Sequence, residues 1–131
     1  MHWFRKMRQP DVWEVADPHP LGDIEAAQKI REICAAAGSI TDKMAGRRAE
    51  KDKATETERY QAAIKRALEI AMKISDDAMR DVSVVQIIGL CVTMDHMKTA
   101  RILVRAIKSE SIRVELIAGN PELADRGTAT E

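Results

Sequence analysis

The chain has 131 residues, with 21 basic and 21 acidic side chains and a hydrophobic share of 45%. This length suffices for one domain with its own core, and this balance of apolar and charged residues excludes an intrinsically disordered chain. The longest uncharged stretch, 82–94, is shorter than the roughly 20 apolar residues that a membrane-spanning helix needs, so the sequence predicts no membrane span.

Aromatic residues are scarce, and none follows Tyr60. Aliphatic and small side chains suit the packing of helix on helix, whereas small β-sandwiches and barrels normally use aromatic residues and Gly/Pro turns. The sequence therefore predicts an all-α fold, a small helical bundle of about five helices with an extended N-terminal arm. We expect an arm over 1–20, a single helical domain over 21–119 with a charged connector at 45–58, and a flexible tail over 120–131.

The arm, 1–20, is predicted to be extended because Pro10, Pro18 and Pro20 lack a backbone donor and disfavour helix in the residue before them. It also holds three of the four aromatic residues: Trp3, Phe4 and Trp13. Two interpretations remain open. These side chains either cover a groove on their own bundle or bind a partner, since aromatic residues beside arginines are typical of interface anchors.

The first predicted helix, 21–37, has apolar residues at steps of three and four, and Gly38 is expected to end it. The apolar residues are Ile24, Ala27, Ile30, Cys34 and Ala37. The connector, 45–58, carries charges of alternating sign and has no apolar face, which predicts an exposed helix or a linker.

The most regular apolar pattern lies between residues 60 and 78 and repeats at steps of four and three, as in helices that pack nearly parallel. Its members are Tyr60, Ile64, Ala67, Ala71, Ile74 and Ala78. Further apolar residues widen this face, which favours a core helix of a bundle over a dimeric coiled coil.

The run 82–94 is rich in β-branched residues, and a short apolar run does not by itself separate a buried helix from a buried strand. Asp76 and Asp77 offer N-cap chemistry just before it, so we favour a buried helix from about Asp76 to Cys91. Ile88 is predicted to be buried on this helix.

Two shorter helices are expected to follow. The first, 95–108, would begin at a cap provided by Thr93 or Asp95. Its inward face is predicted to consist of Met97, Ala100, Val104 and Ile107. The second, 109–118, would close the fold, although alternation of apolar and charged residues at 111–117 leaves a strand open there.

The sequence contains no catalytic or ligand-binding motif. His2, His19 and His96 stand apart from other metal-ligating residues, and there is no phosphate-binding glycine loop, so we expect no metal, no cofactor and no enzymatic activity. Cys34 and Cys91 lie in apolar segments, where we expect buried, reduced thiols. With no apolar signal segment after the basic N-terminal residues, this predicts a cytoplasmic protein.

The one patterned polar feature is a cationic stripe about 15 Å long on the outer face of the predicted helix 95–108. It consists of Lys98, Arg101, Arg105 and Lys108. Such a stripe could follow a phosphate backbone or an acidic partner, and its other interpretation is a solvated helix face.

Together these features favour a non-enzymatic helical protein–protein interaction module, oligomeric through self-association, with the N-terminal arm as its docking element. The alternative is a DNA-binding regulator or nucleic-acid accessory protein that uses the basic face of helix 95–108.

Overall fold

The computed structural model describes residues 11–17, 19–44 and 50–124, with the backbone alone for 40–44 and 50–56. This part of the chain contains five α-helices and no strand, which confirms the all-α prediction. The helices are α1 (Asp23–Met44), α2 (Glu50–Ala71), α3 (Asp77–Thr93), α4 (Met97–Ala106) and α5 (Glu110–Gly119), with short 3-10 turns at Val12–Glu14 and Pro121–Leu123. Trp3 and Phe4 lie outside the described residues, and so do 45–49 and most of the tail.

Helix α1 differs from the prediction in its length and in which of its faces is buried. It continues through Gly38 to Met44, because a glycine inside a helix costs only about 1 kcal/mol and packing against α2 and α3 outweighs this. Its buried face is formed by Ala26, Ile30, Ile33 and Ala37, whereas Ile24, predicted to face inward, is 67% exposed.

Helix α2 carries only the first four positions of the predicted heptad pattern. Tyr60, Ile64, Ala67 and Ala71 are buried. The helix ends at Ala71, so the last two positions fall in the following turn and in the first turn of α3. Ile74, in the turn after α2, is only 1% exposed and lies in the core. The apolar pattern therefore extends one position beyond the end of the helix.

Helix α3 is the central element, since it packs against α1, α2 and α4. Its range confirms the helical interpretation of the β-branched run, and Asp76 is the N-cap, with its carboxylate accepting a hydrogen bond from the Met79 N–H at 2.8 Å. The predicted burial of Ile88 is confirmed, at 1% exposure.

Helix α4 is shorter than predicted and begins without a side-chain cap. The hydroxyl of Thr93 donates to the carbonyl of Gly89, and Asp95 occupies a left-handed conformation with φ 61°. The predicted burial of Val104 is confirmed, at 3% exposure. Helix α5 packs against α4 and the turn Pro121–Leu123, so the strand alternative for this segment is wrong.

Two corners of the fold are held by the same arrangement of hydrogen bonds. A carboxylate of α1, Asp23, accepts the backbone N–H groups of Ser75 and Asp76 before α3, each at 3.0 Å. A carboxylate of α3, Asp81, accepts those of Lys108 and Ser109 before α5, each at 2.9 Å. In both cases a carboxylate on one helix holds the start of a later helix: α1 holds the start of α3, and α3 holds the start of α5.

An arginine completes each corner. Arg80 donates to the carbonyl of Ile74, and Arg113 donates to the carbonyl of Ile107, six residues earlier in both cases. The pairs α1–α2 and α3–α4 are thus successive helical hairpins, and a corner of the same kind precedes both α3 and α5.

Candidate functional site

Trp13, predicted as a partner contact, lies inside the protein. Its side chain is 6% exposed, and the guanidinium of Arg59 on α2 stands over the indole, 5.9 Å from the ring centroid. Asp11 holds that arginine at 2.6 Å. Trp13 therefore packs on its own bundle, as in the first of the two interpretations of the arm.

Residues 11–17 and 19–22, which include Trp13, lie along α1 and α2, and we call them the strap. Asp17 accepts a hydrogen bond from Arg66 of α2 at 2.7 Å and pairs with Lys29 of α1 at 3.7 Å. The strap thus runs along α2 from Arg59 past Arg66 and enters α1 beside the corner held by Asp23.

The candidate site is an open groove between α1 and α3, about 400 Å³ in volume. This is within the range of concave ligand sites. We call it the α1–α3 groove. It is lined by Ile24, Ala27 and Arg31 of α1 and by Asp76, Ala78, Met79, Val82, Ser83 and Gln86 at and within α3.

The walls of the α1–α3 groove are mainly apolar, and two of their aliphatic side chains are exposed to solvent. Ile24 is 67% exposed and Val82 is 54% exposed, one on each helix. Sequence analysis missed this site because it assigned Ile24 to the core. The available signal was that Ile24 is out of step with the series Ala26, Ile30 and Ile33.

One polar atom in the groove wall lacks a partner. The side-chain oxygen Oε1 of Gln86 is fully buried and accepts no hydrogen bond within the described part of the chain. A buried acceptor without a donor is costly to the folded state, and because this oxygen is fully covered it is not itself a contact point in the groove.

The two ends of the α1–α3 groove differ in charge. At the end where both helices begin lie Asp76 and Asp77, both exposed, with Arg80 bonded to Asp77. At the other end stands Arg31, which is exposed and forms no ion pair with the described residues. The groove therefore favours a ligand that carries positive charge at the Asp76 end.

The carboxylate of Asp23 lies at the same acidic end. The N–H groups of Ser75 and Asp76 lower its pKa from the ordinary aspartate value because they stabilise the charged form. This corner thus favours folding above the ordinary pKa of aspartate, and the contribution is lost as the pH falls through the lowered value.

The predicted cationic stripe is exposed in three of its four positions. Lys98, Arg105 and Lys108 face solvent, whereas Arg101 is half-buried and donates through Nε to the carbonyl of Glu122 at 2.8 Å. Ile102, 51% exposed, interrupts the stripe. Part of this surface is thus engaged in holding the C-terminal turn.

Cys34 and Cys91 are free thiols, half-buried and buried respectively. Desolvation raises the pKa of each to about 11, and the charge of a neighbouring Cys34 thiolate contributes at Cys91. Because thiolates are the reactive form, both cysteines are poor nucleophiles at neutral pH.

These thiols give a pH-dependent stability. A thiol that ionises near 9.0 when unfolded and near 11 when folded favours the folded state below pH 9.0, and this contribution is lost as the pH rises to about 11. We expect the free energy of unfolding, measured by urea denaturation, to fall over this interval more steeply than in the double variant Cys34→Ala, Cys91→Ala. Equal pH dependence in the two proteins would contradict the assignment.

The two described histidines lie in different parts of the fold. Nδ1 of His19 lies 3.0 Å from the carbonyl of Pro20, His96 is the N-cap residue of α4, and His2 lies outside the described residues. Among the described residues, no three His, Cys, Asp or Glu side chains are grouped so as to hold a metal ion. Within the same ranges, no helix combines the length and apolarity needed to cross a bilayer.

Comparisons of the chain with protein-family models, with curated protein sequences and with solved structures found no match.

Proposed function

We propose that this protein is a non-enzymatic helical interaction module that self-associates through the α1–α3 groove. The observation that carries the proposal is the pair Ile24 and Val82, both more than half exposed on opposite walls of one groove. We also propose that it acts in the cytoplasm, which the two free thiols support.

Single exposed apolar residues are common on protein surfaces and need no explanation. Ile24 and Val82 are different because they line the same concavity, together with half-buried Met79. Covering such side chains gains about 25 cal/mol for each Å² of apolar surface removed from water. This apolar groove is therefore suited to a short segment of a protein partner.

The test is the oligomeric state. Light scattering over a concentration series should give a mass above that of the monomer for the wild-type chain and the monomer mass for Val82→Glu, because a carboxylate in the groove would be desolvated on association. The matched control is Ile102→Glu, which places the same charge at a similarly exposed apolar position on α4, outside the groove.

Circular dichroism of each variant confirms folding, and Ile24→Glu serves as a second groove variant on the facing helix. If both groove variants keep the wild-type mass, or if Ile102→Glu lowers it equally, the α1–α3 groove is not the site of association.

A nucleic-acid-binding function remains the alternative proposal. Two exposed cations on α4, Lys98 and Arg105, and exposed Lys108 just after the helix support it, and binding of this kind weakens steeply as salt is raised. We rank it second because Arg101 already donates to the main chain and Ile102 interrupts the charged face.

A further inference from the structure

We infer that the α1–α3 groove receives residues 1–10 of a second copy of this chain. The inference rests on the proposed function and identifies the segment that the groove binds. It is drawn from the chemistry of the groove, from the sequence of that segment and from the point at which the chain enters the described part of the fold.

The segment complements the groove in both polarity and charge. Residues 1–10 contain no acidic side chain; their four large apolar residues are Met1, Trp3, Phe4 and Met7, and their cations are Arg5, Lys6 and Arg8. The groove offers apolar walls to the first group and carboxylates at its Asp76 end to the second.

The lengths also agree. Along α3, Gln86 and Asp76 are about 15 Å apart at the helical rise of 1.5 Å per residue. An extended segment from Trp3 to Arg8 spans about 17 Å. With Arg8 at the Asp76 end, Trp3 therefore lies beside Gln86.

This orientation places the apolar side chains of the segment along the apolar walls of the groove. Trp3 and Phe4 lie toward Gln86 and Val82, and Met7 lies toward Ile24 at the Asp76 end.

The geometry of α1 assigns the segment to a second copy. Lys29 binds the strap and Arg31 lines the groove, and two residues on a helix are separated by about 200° around its axis. The strap and the groove therefore lie on opposite sides of α1. Since Asp11 is tied to Arg59 on α2, the described part of the chain begins on the side of α1 that faces away from the groove.

The test uses the full chain in two variants, each with one half of the contact removed. Trp3→Ala with Phe4→Ala removes the aromatic residues of the segment, and Val82→Glu blocks the groove. We expect light scattering to give an increase of at least about tenfold in the apparent dissociation constant for each variant alone. An equimolar mixture should recover association, because the first variant supplies an intact groove and the second an intact segment.

The outcomes separate this inference from the proposed function. If Val82→Glu loses association while the Trp3, Phe4 variant retains it, the groove binds another surface of the second copy and the inference is overturned alone. If both variants lose association but the mixture does not recover it, the segment does not bind in the groove of a second copy, and the inference is again overturned. A wild-type chain that is monomeric throughout overturns both.

Discussion

Replacing Ile88 by alanine is expected to lower the free energy of unfolding by about 2 to 4 kcal/mol, through lost burial and the cavity left behind. Ile88 is 1% exposed on α3, the helix that contacts α1, α2 and α4. A cavity there borders several helices at once, so no single side chain can close it. Val104→Ala on α4 should cost somewhat less, because fewer atoms are removed.

Arg105→Ala is the matched control, since Arg105 lies on the exposed face of α4 while Val104 lies on its buried face. Its effect should stay within about 0.5 kcal/mol, as is usual for solvated positions. Chemical denaturation of the three variants provides the measurement. If Arg105→Ala destabilises the protein as much as Ile88→Ala, the assignment of the two faces of α4 is incorrect.

Replacing Asp81 by alanine should also cost about 2 to 4 kcal/mol, because two backbone donors would lose their acceptor. Its side chain is only 2% exposed and accepts the N–H groups of Lys108 and Ser109. Alanine lacks the two carboxylate oxygens, so the two N–H groups in this part-buried corner lose their acceptors. The start of α5 then loses its support. The penalty is large because hydrogen bonds to a carboxylate are stronger than those between neutral groups.

Asp77→Ala provides the comparison, because Asp77 is an exposed carboxylate on the same helix and pairs with Arg80. It should change stability by less than about 1 kcal/mol. Hydrogen exchange adds a local measurement, in which the amides of Lys108 and Ser109 should exchange faster in Asp81→Ala. Unchanged exchange at these two amides would show that Asp81 does not support the corner.

The contrast between Asp81 and Asp77 illustrates why some roles cannot be deduced from sequence. From the sequence alone, these acidic residues are expected to cap the helix and to lie on its solvated face; they are Asp76, Asp77 and Asp81. The structure confirms capping for Asp76 and exposure for Asp77, but Asp81 is buried because the chain returns after α4 and places two N–H groups against it. Only a contact between residues distant in sequence distinguishes Asp81 from its neighbours.

The sequence by itself determined the all-α class, the range of α3 and the burial of Ile88 and Val104, because these follow from composition and from the spacing of aliphatic residues within one helix. The tertiary structure alone decided how far α1 continues beyond Gly38, which way Ile24 faces and where Trp13 lies. Each of these depends on a neighbouring helix: packing against α2 and α3 outweighs the cost of a glycine and sets the facing of α1, and Arg59 of α2 provides the contact that holds Trp13. The α1–α3 groove belongs to this second group, since it exists only where two helices meet.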